Sequence, residues 1–179
     1  MSIEIYQSLR QEYLQLDEIM AKRPKDYNTI DNFKSWLLDV ENYLRRNEMD
    51  DFKRVAEIRG KLIASQLAFD RRVPKLKRQL KATTELIELS KTMMNTIIGP
   101  MEEHYQKPRK AIKKMLMIAE HEGLIQWNDG LRFRDFVHAM WRIFNREELY
   151  KGHCREITKS ISEEEAIALL AEEVKSYIN

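Results

Sequence analysis

Residues 75–98 read KLKRQLKATTELIELSKTMMNTII, and the stretch decides the fold class. Its apolar side chains Leu76, Leu80, Leu86, Ile87, Leu89, Met93, Met94 and Ile97 recur at the spacings of an amphipathic helix. Pro74 stands just before it, and Gly99 and Pro100 just after. Both are helix-boundary signals, so the spacing predicts a helix from about Lys75 to Ile98.

Outward from that segment the same periodicity continues. Residues 3–22 place Ile5, Leu9, Tyr13, Leu16 and Met20 on one stripe, with Pro24 as the stop. A second helix opens near Asn28 or Thr29, carries Phe33, Trp36, Leu37, Val40, Tyr43 and Leu44 inside, and ends around Asn47. Asp50 caps a third, with Phe52, Val55, Ile58, Leu62 and Leu67 on its inner side and Pro74 close behind its end. Gly60 within it points to a close helix crossing or a bend. Residues 101–122 predict another helix, which Pro108 splits and Gly123 caps. Phe133, Phe136, Val137, Met140, Trp141 and Phe144 form an aromatic inner face. Ser162 and Glu165 then form a capping box opening a last helix through Ile167, Leu170, Val174 and Ile178.

Only five Gly and four Pro punctuate 179 residues, too few turns for an all-β chain. The expectation is an all-α, single-domain bundle of six to seven amphipathic helices over 1–179, with one short β-hairpin near 124–133, where Asp129-Gly130 supplies turn chemistry. Within it, 1–74 holds the N-terminal helices, 75–150 the basic and aromatic helices, and 151–179 the C-terminal helix. Trp36 and Trp141 read as core, Trp127 as a residue of the hairpin, and the methionines, Met117 among them, as core filler.

With a hydrophobic fraction of 43% and a charged fraction of 34%, the chain must keep a large charged surface wet around an ordinary core. The single cysteine, Cys154, excludes an internal disulfide. The N-terminus lacks a signal peptide's order, and no apolar run approaches the roughly 18 residues of a membrane span. These features place the protein in the cytoplasm, a reducing compartment, away from membranes.

Motifs that carry catalysis are missing. There is no Gly-rich phosphate loop, no G-x-S-x-G and no H-E-x-x-H. A di-iron bundle needs Glu three residues before His, but Met101 precedes His104 and Ile118 precedes His121. His153 beside Cys154 is too small a ligand set for a metal. The reading is therefore non-enzymatic, with no catalytic residue, no metal and no cofactor.

Charge distribution is more informative than the net +2. Residues 61–120 carry 13 basic and 6 acidic side chains, whereas the flanking thirds are both acidic. Arg71, Arg72, Lys75, Lys77, Arg78 and Lys81 form one cluster; Lys107, Arg109, Lys110, Lys113 and Lys114 form a second. Both fall at predicted helix starts, where the helix dipole disfavours cations. The ordinary meaning of such runs is a solvated face; the alternative is an anionic partner. Nucleic acid, DNA or RNA, is the partner that best calls for this density, because each neutralised phosphate releases counterions. The rival expectation is a protein-interaction module, an adaptor, inhibitor or assembly subunit. It would set the basic face on an acidic protein surface, or dock an apolar helix face, such as 3–22 or 163–178, on a partner or a second copy.

The stretch Lys107-Pro-Arg-Lys-Ala-Ile-Lys-Lys-Met-Leu116, followed by Glu122-Gly-Leu-Ile125 and the hairpin signal, resembles the recognition helix and wing of winged-helix DNA-binding domains. The resemblance implies that Arg109, Lys110, Lys113 and Lys114 lie near DNA at a helix start, with Arg132 or Arg134 near the wing. The turn from Gly99 to Pro108 is longer than that family's, and the wing is minimal.

Overall fold

The computed structural model describes residues 2–21, 27–67, 73–124 and 132–178. Of the described residues 89% are helical, in seven helices, with no strand among them. The helices are α1 (Ile3–Ala21), α2 (Tyr27–Arg46), α3 (Phe52–Leu67), α4 (Lys75–His121), α5 (Phe133–Arg146), α6 (Glu148–Thr158) and α7 (Glu163–Ile178). The expected hairpin, Trp127 included, falls largely on 125–131, outside the described residues.

The chain divides into two compact units, residues 3–101 and 102–179, the division falling within α4. In the first unit α2 packs on α1 and on α3. Leu9, Leu16, Phe33, Leu37, Val40, Leu44, Val55 and Leu62 are buried there. Trp36 lies against Phe33, ring centroids 6.0 Å apart, and donates its indole N–H to the Glu12 carbonyl at 2.9 Å, which ties α2 to α1. Glu41, only 5% exposed, accepts from Arg45 at 2.9 Å and from Arg59 at 2.7 Å. Leaving that carboxylate buried and unpaired would be costly, so the Arg59 guanidinium pins α3 to α2, while Arg45 pairs with it from within α2.

Helix α2 ends in a Schellman turn. Glu48 takes φ 56°, and the Met49 and Glu48 N–H groups donate to Leu44 and Arg45 carbonyls at 3.0 and 3.2 Å. Gly60 is not a crossing point: a Cβ placed there meets nothing within 4 Å.

Helix α4 overturns the expected boundaries. Gly99 and Pro100 do not end it, and Pro108 does not split it; one helix runs from Lys75 to His121. Each interior proline costs roughly 3 kcal/mol, because it removes a backbone donor and crowds the carbonyl four residues back. Against that, Ile97, Ile98, Met101, Tyr105, Ile112 and Met115 are all buried along the continuous helix. At about 1.5–3 kcal/mol each, their burial outweighs two prolines. The carbonyl whose helical donor Pro100 removes belongs to Thr96, an exposed residue. The expected stop at Gly123 does hold. Gly123 has φ +65°, and Gly123 and Leu124 donate to Glu120 and Ala119 carbonyls at 3.0 and 2.9 Å, a second Schellman turn. Leu89 and Met117, and Leu67 at the end of α3, all expected inside, are exposed.

In the second unit α5, α6 and α7 pack on one another. Phe136, Val137, Met140, Trp141 and Phe144 form the buried face of α5, as their spacing predicts. Trp141 donates to Glu163 at 2.9 Å, linking α5 to α7. A single extended residue, Glu147 (φ −74°, ψ 127°), separates α5 from α6. The capping box forms as expected: Ser162 N–H donates to Glu165 at 2.9 Å, and Glu165 N–H to Ser162 Oγ at 3.2 Å. Tyr105 donates its hydroxyl to the same Glu165 at 2.6 Å, joining α4 to α7.

Candidate nucleic-acid interface

The two basic clusters fall in different units, and the structure treats them differently. In the first, Arg71 and Arg72 lie outside the described residues. Lys75, Lys77, Arg78 and Lys81 occupy the opening turns of α4, with all three lysines exposed and Arg78 half-buried. No acid lies in the first turn. Lys81 approaches Glu85 at 3.9 Å, with both side chains mostly exposed, a contact worth little in water. These cations sit on the positive end of the helix dipole, as their sequence position implies.

The second cluster is not at a helix start. Lys107, Arg109, Lys110, Lys113 and Lys114 lie deep inside α4, so the helix-start placement that the winged-helix resemblance implies is absent. Nor are the five equivalent. Arg109, 19% exposed, forks between Glu172 at 2.6 Å and the nearly buried Glu173 at 3.0 Å, and Lys113 reaches Glu173 at 3.5 Å. Those contacts fasten α4 to α7. Lys107 pairs with Glu156 of α6 at 3.0 Å, with both partners more than half exposed. The hydrogen bond from Lys107 holds the Glu156 carboxyl below the ordinary carboxylate value. Lys110 and Lys114 are exposed and have no acid partner among the described residues.

Lys107, Lys110, Ala111 and Lys114 follow the i, i+3, i+4, i+7 pattern, so they share one stripe of α4. His153, Glu156, Ile157 and Ser160 repeat that spacing along α6 and its end. The two stripes, with Pro108, wall a cleft of about 250 Å³. Pro108 and Ile157 are buried beneath it, and His153 is half-buried at its side. The cleft therefore has an apolar base and a cationic rim. The lysine spacing was legible in the sequence; the α6 wall was not, because no local signal tells which helix packs against which.

Cys154, the neighbour of His153, is buried away from this surface, and burial pushes its thiol up to about 11. At neutral pH it is almost wholly a protonated thiol, the unreactive form. Among the described residues no three His, Cys, Asp or Glu side chains stand close enough to hold a metal ion, and no helix is long and apolar enough to cross a membrane. Arg132 and Arg134, at the start of α5, are exposed. No known protein-family model, curated protein or solved structure matches the chain.

Proposed function

We propose that this chain is a non-enzymatic nucleic-acid-binding protein that contacts phosphates chiefly through Lys110 and Lys114, with Lys107, Lys75, Lys77 and Lys81 as further phosphate contacts. The observation that carries the reading is the state of Lys110 and Lys114. They stand one helical turn apart, exposed and unneutralised, beside cations that acids on α6 and α7 do neutralise. A stability role accounts for Arg109 and Lys113 but leaves Lys110 and Lys114 without one. An anionic partner supplies the missing charge, and a polyphosphate backbone supplies it in repeated units.

The test is fluorescence anisotropy of a labelled strand and a labelled duplex across a salt series. The reading expects affinity to fall steeply with salt, with a log–log slope close to 0.7–0.9 per phosphate contacted. Lys110→Glu with Lys114→Glu should lower that slope by about 1.4–1.8 and weaken binding at least about tenfold. Absence of binding at low salt to both probes would overturn the reading. An unchanged slope in the double variant would move the site elsewhere.

A further inference from the structure

Resting on that reading, we infer that the cleft between α4 and α6 seats a single unstacked nucleobase, so that the protein selects single-stranded over double-stranded nucleic acid. A site that reads only phosphates needs an exposed ridge of cations. Here the lysines rim a hollow whose base is Pro108, Ala111 and Ile157. An apolar base offers nothing to a phosphate and suits a base ring released from water. The lysine stems extend the apolar wall, while their ammonium groups stay at the mouth, where the phosphates flanking an inserted base would run. His153 lines the same cleft and presents an imidazole, a ring type on which bases stack. Ser160 and Glu156 supply a hydroxyl and a carboxylate to the edge of the ring. At about 250 Å³ the volume falls just under the roughly 300–1,000 Å³ of pockets that enclose drug-sized ligands, which suits one ring system. A duplex keeps its bases stacked and paired, and entry would require one to be extruded against that stacking.

The experiment compares four probes on the full chain at one salt concentration: a single strand, the same strand with abasic residues, the matching duplex, and polyglutamate of equal charge as competitor. Base-bearing strand should bind roughly tenfold or more tightly than abasic strand, since stacking one base contributes on that order. Duplex should bind no better than abasic strand. Ala111→Phe, which fills the hollow and removes no charge, should erase the difference between base-bearing and abasic strands; circular dichroism checks that the variant is folded. The abasic comparison is made on the unaltered protein and holds even if that variant fails to fold. Equal affinity for base-bearing and abasic strands would overturn the inference while leaving the phosphate-contact reading in place; displacement by polyglutamate at equal charge would overturn both in favour of an acidic protein surface. No binding of any probe would overturn both.

Discussion

The cluster at 75–81 and the cluster at 107–114 look alike in sequence, yet they are built to different ends. The first lies on the opening turns of α4, its three lysines exposed and Lys81 in long contact with Glu85. The second lies mid-helix and divides in two: Arg109 and Lys113 face the acids of α7, whereas Lys110 and Lys114 line the cleft toward α6. Charge density along a chain therefore does not say which cations are available to a partner. The acids that face them across the fold decide it, and here Glu172 and Glu173 withdraw Arg109 from the surface.

The largest effect should come from Arg109→Met. With its main partner gone, Glu173 is left nearly buried with only Lys113 at 3.5 Å, and stability should fall by about 3 kcal/mol. Denaturant melts followed by tryptophan fluorescence measure it. A loss below about 0.5 kcal/mol would place Arg109 with the surface cations and break the comparison. Lys110→Glu with Lys114→Glu should leave the same melts within about 0.5 kcal/mol while abolishing most binding.

Lys75→Glu with Lys77→Glu and Lys81→Glu sharpens the contrast from the other side. Acids on the first turns of α4 complement its dipole, so the triple variant should gain stability, about 0.3–1 kcal/mol in a thermal melt, while nucleic-acid affinity drops. A gain in stability with unchanged affinity would leave the 107–114 face as the whole interface.

A smaller effect concerns α7, the element that neutralises Arg109. Burial tends to raise the Glu165 carboxyl, but hydrogen bonds from Tyr105 and from Ser162 overcome it and hold it below its ordinary 4.5. A depressed acid stabilises fully above its unfolded value, and that contribution is lost as pH falls through the lower, folded one. Glu165→Gln, which keeps the capping geometry, should therefore be about half a kcal/mol less stable than the parent at pH 7. The difference should shrink in melts as pH falls below 4.5 and vanish once it has passed the lower, folded value. Glu12 runs the opposite way: burial and the nearby Asp39 raise it, so the charged form is disfavoured in the folded chain and acidification relieves that penalty.

One substitution should instead be a gain. Gly60→Ala meets open space and should stabilise α3 by up to about 1 kcal/mol. The same substitution at Gly123, held at φ +65°, should destabilise. The pair shows what was legible in advance. The Gly123 turn and the Ser162–Glu165 box are local signals, closed within a few residues, and both formed as the sequence predicts. Gly99, Pro100 and Pro108 are local signals too, but the burial of Ile98, Met101, Tyr105 and Ile112 overrides them, and that burial depends on residues distant in the chain. The site divides the same way. Lys107, Lys110 and Lys114 are visible as a stripe, whereas His153, Glu156 and Ser160 join them only through the packing of α6 on α4.

Cys154 turns the second unit into its own reporter. It is the chain's only cysteine, it is buried, and its thiol is pushed up to about 11, so a thiol-specific reagent meets almost no reactive sulfur while α6 stays packed. Labelling then proceeds through transient openings, and its rate counts them. A ligand that binds the closed form alone slows that clock by a factor of one plus its concentration over its Kd. The affinity of an unlabelled strand, or of any other partner of this unit, can thus be timed from one sulfur atom, with no dye attached to either molecule.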